Sequence, residues 1–265
     1  MARALEVAHR ADEPGEGERL SPDPAAVWGG ASYERIAEAF APIHERMVDA
    51  LAPRPGEPFL DLACGTGGVA LIAARRGAEA TGLDISPDQL AKAHAAADAE
   101  GLSIRFDEGD AQELPYEDES FDAVASAFGV IFAADHRRAA GELTRVCRPG
   151  ARVAITTWPE DDWFRLNARL RPDYENMPAR LWADEEYVRG LFPEFELRFE
   201  GGVSRIEAGS DEELWQLLST SVPGLKAWLE TLDADAWEHA HREFMRLIPD
   251  GVLRREYLFI LGTRR

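Results

Sequence analysis

This chain of 265 residues has a composition that already excludes several classes of function. Hydrophobic residues make up 45% of it, which is enough to bury one large core or a core with a cap. The formal net charge of −20 repels phosphate backbones and anionic lipid, so we expect neither a nucleic acid nor a membrane as a partner. The two cysteines, Cys64 and Cys147, lie far apart and in no metal-ligand spacing, which predicts no disulfide framework and a reducing cytoplasm.

The N-terminal region divides into two predicted parts. Residues 1–20 lack the apolar core of a signal peptide, and we expect them to be a flexible N-terminus. Residues 32–51 form an amphipathic helical stretch interrupted at Pro42. We assign residues 21–57 to an N-terminal helical lid, in which Trp28 and Tyr33 either fold over a ligand or pack on the sheet.

Residues 58–158 alternate between short apolar runs and helical periods, which predicts βαβ units and a parallel sheet. Ser86, followed by Pro87 and Gln89, marks one helix start, and Gly77 and Gly101 mark two helix ends. The predicted strands are 58–62, 79–83, 103–107, 121–126 and 151–157, and the predicted helices are 67–76, 86–99 and 135–147, the last closed by Pro149–Gly150.

The pattern changes after residue 158. A helix is predicted at 184–191, a strand bent at Gly201–Gly202 at 195–208, two or three helices over 210–248, and a final strand at 257–262. We assign residues 159–265 to substrate cap helices plus the final strands. The whole pattern predicts an α/β, Rossmann-like, doubly wound, mostly parallel seven-stranded sheet, with the helical lid before it and a helical cap inserted near the C-terminus.

The stretch PFLDLACGTGGVALIAARRG, residues 58–77, predicts a cofactor site. Gly65-x-Gly67-x-x-Ala70 matches a dinucleotide fingerprint, and Asp84 follows where a ribose-binding acid belongs. The pattern fits both a nicotinamide dehydrogenase and an S-adenosylmethionine enzyme. Asp61 favours the second, because its charge would repel a pyrophosphate but suits an α-ammonium group. In addition, none of the five tyrosines has a lysine four residues on, which removes a common dehydrogenase pair.

Four motifs in chain order resemble a known family. FLDLACGTGG, ATGLDIS, EGDAQELPYEDESFDAVASAFGVIF and ELTRVCRPGARVAITTW are similar to the successive motifs of class I S-adenosylmethionine-dependent methyltransferases. Their order is most similar to the small-molecule branch that includes the ubiquinone/menaquinone biosynthesis type. The resemblance covers about residues 58–158. Ala63 and Ala151 stand where many members carry glycine, and because both are small we expect the loop and the turn to be kept.

The resemblance implies S-adenosylmethionine as the cofactor and S-adenosylhomocysteine as its product. Asp61 would reach the amino-acid end of the donor, Asp84 the ribose and Asp110 the adenine amino group, with helix capping as the alternative role for each carboxylate. The other predicted donor-binding residues are Trp28, Tyr33, Ala63, Gly65, Gly67, Ile85, Ala111, Ser126 and Ala127.

The acceptor is predicted to be a small apolar or aromatic molecule, because six of the seven tryptophans lie at or after residue 158. Its predicted binding residues are Phe128, Ile131, Phe132 and Trp158.

In-line displacement at a sulfonium is accelerated mainly by alignment, and a base is needed only if the acceptor must lose a proton. His44 and His136 are the candidate bases, and a solvated role is the alternative for His136. We expect no metal, and a monomer or homodimer. Two other classes stay open: a catalytically silent donor-binding partner subunit and a nicotinamide-dependent oxidoreductase.

Overall fold

Seven strands form one sheet in the computed structural model, which describes residues 34–171, 174 and 177–265. They are β1 (Pro58–Leu62), β2 (Glu79–Asp84), β3 (Arg105–Glu108), β4 (Phe121–Ala127), β5 (Cys147–Thr157), β6 (Phe195–Glu207) and β7 (Val252–Arg264). Their order across the sheet is β3-β2-β1-β4-β5-β7-β6. The first five strands pair in parallel, and β7 runs antiparallel to β5 and β6. The predicted Rossmann-like, mostly parallel seven-stranded sheet is confirmed.

Helices connect these strands and pack on both sides of the sheet. They are α1 (Glu34–Ala39), α2 (Ala41–Leu51), α3 (Gly68–Arg75), α4 (Pro87–Glu100), α5 (His136–Val146), α6 (Asp162–Leu170), α7 (Glu185–Leu191), α8 (Asp211–Ser221), α9 (Pro223–Leu229) and α10 (Ala234–Met245). The Ser86 hydroxyl caps α4 by accepting from the Gln89 backbone N–H, as predicted. Gly101 ends α4 with φ +65°, a left-handed conformation that costs glycine little.

The prediction that Pro149–Gly150 closes α5 and turns the chain into the next strand is wrong. The helix ends at Val146, and Cys147 already pairs with Phe121 of β4. The next paired residue of β5 on this side is Arg152, opposite Ala123, so Pro149–Gly150 belongs to a bulge in the strand. A bulge and a helix-to-strand turn both use Pro-Gly, which explains the error.

The N-terminal helices belong to the core of the protein. The helical stretch breaks at Phe40, and Pro42 lies in the first turn of α2, where no N–H is needed. This helix buries Ile43, Met47, Val48 and Leu51 against α3, β4 and β5. The described part of the predicted lid therefore packs on the sheet, whereas residues 1–20, Trp28 and Tyr33 lie outside the described residues.

Successive side chains along each strand point to opposite faces of the sheet, which divides the core into two apolar clusters, one on each face. Phe59 and Phe259 belong to one cluster, while their neighbours Leu60 and Ile260 belong to the other. Both faces are buried, as a parallel sheet requires. The first cluster includes α2, α3 and the late helices, and the second includes α5 and α7.

The last strand is twice as long as predicted. β7 begins at Val252 because residues 252–256 pair with residues 203–207 of β6, without a register shift at Gly201–Gly202. Helices α8 to α10 lie between these two strands in the chain, so the predicted cap insertion is confirmed. Phe244 of α10 joins the cap to α6 through its ring contact with Trp163. Within the described part of the chain, no helix is long and apolar enough to cross a membrane.

Candidate active site

A cavity of about 570 Å³ opens at the carboxyl ends of β1 to β5 and is covered by the cap. This volume lies within the range of about 300–1,000 Å³ that is typical of small-molecule sites. The residues that directly follow the strands line its floor, and residues of α1, α2, α6, α8 and α9 line its walls. Parallel sheets bind ligands at this edge, so the chain order of the motifs predicts where the site lies.

The glycine loop after β1 holds three residues in the left-handed region. Ala63 has φ +55°, Gly65 +54° and Gly67 +80°. A Cβ at Gly65 would meet no atom within 4 Å, so a ligand can approach the backbone there. Gly67 lies outside the cavity lining. A Cβ at Gly67 would lie 3.1 Å from the Phe106 ring and 3.2 Å from the Ala93 Cβ, so Gly67 lets α4 and β3 approach the loop.

Asp84 is the last residue of β2 and lines the cavity with 8% of its surface exposed. Its Oδ2 accepts from the Gly65 N–H at 2.7 Å, and its Oδ1 accepts from the Ser86 N–H at 2.9 Å. Burial raises the pKa of Asp84, and these N–H groups oppose the rise. The carboxylate thus connects the ends of β1 and β2, and its remaining lone pairs are available to a diol.

Asp61 lies at the end of β1, below the first turn of α3. Its Oδ2 accepts from the Ala70 N–H at 2.9 Å, so it does cap this helix. Burial raises the pKa of Asp61 to about 7; the helix N–H groups oppose the rise, and the charge of Asp84 adds to it. Because Asp61 also lines the cavity, an ammonium group bound there would favour its ionised form.

The other predicted donor residues fall into two groups. Ile85, Asp110, Ala111 and Ala127 line the cavity, as do Ala63 and Gly65. The Asp110 carboxylate accepts from the backbone and side-chain N–H groups of Gln112, which fixes the turn after β3. Ser126 lies outside the lining and is fully buried, and its Oγ accepts from the Val130 N–H at 3.0 Å. Its observed role is to hold the turn after β4.

An aromatic cluster forms one wall of the cavity, at the predicted acceptor residues. The Phe128 ring stacks on Trp158 with centroids 3.9 Å apart and planes at 7°, and Phe40 lies 5.2 Å from Phe128. Phe128 has φ +60°, a conformation that costs a bulky residue about 1–3 kcal/mol. Ile131 and Phe132 also line the cavity, so all four predicted acceptor residues lie together there.

The two candidate bases differ in position. His44 lines the cavity and packs on the first turn of α3, where a Cβ at Gly68 would lie 2.6 Å from its Nδ1. Burial lowers the pKa of His44 to about 4, so its imidazole is neutral at pH 7.

His136 lies outside the cavity lining and is 5% exposed, so the alternative of a solvated role is wrong. Its Nε2 donates to the Ile131 carbonyl at 3.2 Å, and its Nδ1 lies 2.9 Å from the Tyr187 hydroxyl. A carbonyl can only accept, so Nε2 carries a proton; in the neutral imidazole, Nδ1 then accepts from the Tyr187 hydroxyl. Burial, which lowers the pKa of His136, agrees with this form.

The sequence did not reveal a buried ion pair beside the acceptor wall. Arg255 of β7 donates from Nε to Asp161, 94 residues away, at 2.5 Å. Arg255 lines the cavity together with Arg171 and Tyr174. The local signal at Asp161 is a helix cap, because its Oδ1 accepts from the Phe164 N–H, and nothing local indicates its partner. Among the described residues, no group of three or more His, Cys, Asp or Glu side chains could hold a metal ion.

Comparisons with known proteins identify the family. A family model described as a methyltransferase domain matches residues 60–155. A protein of Mycobacterium tuberculosis, itself uncharacterised, is 34% identical over 90% of this chain and 93% of its own length. A demethylmenaquinone methyltransferase of Thermus thermophilus is 46% identical over 43% of this chain and 53% of that enzyme.

The fold comparison agrees with this family. The structure of Haemonchus contortus phosphoethanolamine N-methyltransferase 2 in complex with S-adenosyl-L-methionine has a TM-score of 0.55 and 19% identity, and the match covers 84% of this chain and 52% of that one. The open backbone at Gly65 and the carboxylates at the ends of β1 and β2 fit such a donor. Residues 60–155 form a methyltransferase domain of the class I S-adenosylmethionine-dependent type, and the chain resembles the quinone-biosynthesis branch of these enzymes.

Proposed function

We propose that the protein transfers a methyl group from S-adenosylmethionine to a small, apolar or aromatic molecule by in-line displacement. The observation that carries this proposal is the continuity of the cavity. Its carboxylate-lined end at β1 and β2 opens directly onto the stacked rings of Phe128 and Trp158. The comparisons favour neither the silent partner subunit nor the nicotinamide-dependent oxidoreductase.

The donor end would be held by groups with distinct chemistry. When bound, S-adenosylmethionine supplies an electrophilic methyl group on a cationic sulfur. Asp84 would accept hydrogen bonds from the ribose, and Asp61 would compensate the ammonium charge. Asp110 would accept from the adenine amino group, while Ile85 packs on the base. Together these contacts would fix the direction in which the methyl group points.

The acceptor end would be aligned by apolar contact. Phe128 is 5% exposed and Ile131 1% exposed, so their wall excludes water from the side of the cavity that they line. The backbone at Phe128 is fixed by its N–H, which donates to the Thr156 hydroxyl at 3.1 Å. Alignment of this kind can supply about 7–11 kcal/mol of a barrier. It leaves general-base catalysis as a secondary contribution.

His44 is the better placed of the two candidate bases, because it lines the cavity and is neutral at pH 7. With a pKa of about 4 it is a weak base, suited to accept a hydrogen bond from the acceptor rather than to remove a proton from it. The charge of −20 and the separated cysteines support two further proposals: no nucleic-acid or membrane partner, and a cytoplasmic location. A monomer or homodimer stays a prediction.

The test is turnover of the full chain with S-adenosylmethionine and a panel of phenols, quinols and amines, read as S-adenosylhomocysteine formed. We expect turnover with aromatic acceptors, a loss in Trp158→Ala, and little change in Trp237→Ala. Trp237 is the matched control, because it is 38% exposed and lies outside the cavity lining. Donor binding without turnover on any acceptor would support a silent subunit and contradict the proposal.

A further inference from the structure

The charged groups that line the cavity are separated by sign. The carboxylates lie at the carboxyl ends of β1 (Asp61) and β2 (Asp84) and just after β3 (Asp110). The guanidinium groups of Arg171, Arg180 and Arg255 lie under the cap and on β7. The chain carries a net charge of −20, so the arginine-lined half of the cavity is opposite in charge to the protein as a whole. The acceptor side therefore combines an apolar wall with cationic groups.

Arg255 is the buried member of this group, with 9% of its surface exposed. Within the part of the chain that the structure describes, its guanidinium makes one hydrogen bond, from Nε to Asp161. Neither Nη1 nor Nη2 is both buried and without a partner, so both terminal nitrogens reach accessible space, and Arg255 lines the cavity. A guanidinium presents its terminal N–H groups as a planar fork that matches an oxyanion.

The fork is held in a fixed position. The Arg255 Cζ lies 4.4 Å from the Trp158 ring centroid and 5.4 Å from that of Trp163. Phe128 stacks on the same Trp158 ring at 3.9 Å, and two groups this close to one ring must lie on opposite faces. The Trp158 indole thus lies between Arg255 and Phe128, whose side of the cavity we assign to methyl transfer.

Two neighbouring groups add to the polar character of this corner. Tyr174 lines the cavity, and the Arg171 Cζ lies 4.9 Å from its ring centroid. Burial raises the pKa of Tyr174; the positive charges of Arg255 and Arg171 oppose this rise, and the negative charge of Asp161 adds to it. A phenol hydroxyl in such a position can donate to a bound anion.

We propose that the methyl acceptor is an apolar or aromatic molecule that carries a carboxylate, and that Arg255 binds this carboxylate through Nη1 and Nη2. The inference rests on the proposed function. The Trp158 indole separates Arg255 from Phe128, so a carboxylate bound to Arg255 lies away from the transferred methyl group. The carboxylate therefore anchors the acceptor, and a different atom of the acceptor receives the methyl group. Arg255 is a specificity-determining residue in this assignment.

The test uses matched pairs of aromatic ligands that differ only in charge: indole-3-acetate with indole-3-acetamide, and cinnamate with cinnamamide. Each is titrated calorimetrically into the full chain saturated with S-adenosylhomocysteine, whose own binding is measured first. The variants are Arg255→Gln, Arg255→Lys, the double variant Asp161→Asn with Arg255→Gln, and the control Arg254→Gln. Arg254 is the exposed neighbour of Arg255 on β7 and lies outside the cavity lining.

The double variant separates an effect on ligand binding from an effect on protein stability. Arg255→Gln alone leaves the Asp161 carboxylate buried without its cation, which destabilises a protein. An asparagine at position 161 still caps α6 by accepting from the Phe164 N–H, and it carries no charge. Thermal unfolding of each variant shows whether a lost preference reflects the ligand or the fold.

We expect each acid to bind about 10- to 100-fold more tightly than its amide, as for hydrogen bonds to charged groups. This preference should vanish in both glutamine variants, fall in Arg255→Lys and persist in Arg254→Gln. Equal binding of acid and amide, a preference that survives in the folded double variant, or no binding by any acid would overturn the proposal. Tighter binding of phenyl phosphate than of the acids would also overturn it, in favour of a phosphate. Failure of S-adenosylhomocysteine to bind would instead contradict the proposed function.

Discussion

Replacement of Asp84 by alanine should weaken donor binding more than any other single change at the sheet edge. The carboxylate is 8% exposed and is the charged acceptor that we assign to the ribose. A hydrogen bond to a charged group contributes about 1.5–3 kcal/mol, so losing one such bond lowers affinity about 10- to 150-fold. Loss of the bonds to both ribose hydroxyls would lower it further.

The same substitution should also lower the free energy of unfolding. Asp84 accepts from the backbone N–H groups of Gly65 and Ser86, and each loses its partner in the alanine variant. An unsatisfied buried donor costs about 1–3 kcal/mol. Asp84→Asn separates the two effects, because its carbonyl oxygen can keep one of these bonds while its charge is gone.

The assay is calorimetric titration with S-adenosylhomocysteine, with thermal unfolding measured on the same preparations. Glu108→Ala is the matched control: Glu108 pairs with Asp84 across β2 and β3, but it is exposed and lies outside the cavity lining. Unchanged affinity in a folded Asp84→Ala protein, or an equal loss in Glu108→Ala, would refute the ribose assignment.

Further substitutions, a pH dependence and a truncation test the roles of the wall, the histidine, Asp61 and the N-terminal segment. Phe128→Ala should lower kcat/KM more than His136→Ala, because Phe128 lines the cavity and His136 does not; a thousandfold loss in folded His136→Ala would make that histidine the base. Since the pKa of Asp61 is raised to about 7 from about 3.9 unfolded, its protonated form favours the fold at low pH, and this contribution is lost as the pH rises through 7. An ammonium group bound beside Asp61 favours the ionised carboxylate, so the apparent affinity for the donor should rise between pH 6 and 8, and binding should release a proton. Asp61→Asn should abolish both effects. A pH dependence of donor affinity that survives in Asp61→Asn would contradict this assignment. Removal of residues 1–33 keeps the buried Ile36 and Phe40, so the protein should still fold, but it should bind the donor poorly. An unchanged dissociation constant for the donor would mean that Trp28 and Tyr33 do not contribute to donor binding.

Local signals predicted the sheet and most of the residues that line the cavity at the sheet edge. The Ser86 cap, the glycine loop and the acids after each strand depend on residues close together in the chain, so their patterns are visible in the sequence. The bulge at Pro149–Gly150 was missed because it depends on the pairing of β5 with β4.

The acceptor side could be predicted only in part, because its contacts join distant segments. The aromatic wall was predicted from composition, but the stack of Phe128 on Trp158 depends on neighbouring strands. The burial of His136 depends on Tyr187, 51 residues away, and the Arg255–Asp161 pair spans 94 residues. Such pairs are set by the cap packing over the sheet, which periodicity does not specify.

A crystal structure of the full chain grown with S-adenosylhomocysteine tests most directly whether this cavity binds the methyl donor. We expect density for the ligand across the carboxyl ends of β1 to β3, with its ribose on Asp84, its adenine beside Asp110 and its sulfur facing the Phe128 wall. Density for the ligand elsewhere, or an empty cavity at saturating ligand, would contradict the assignment of this cavity as the methyl-donor site.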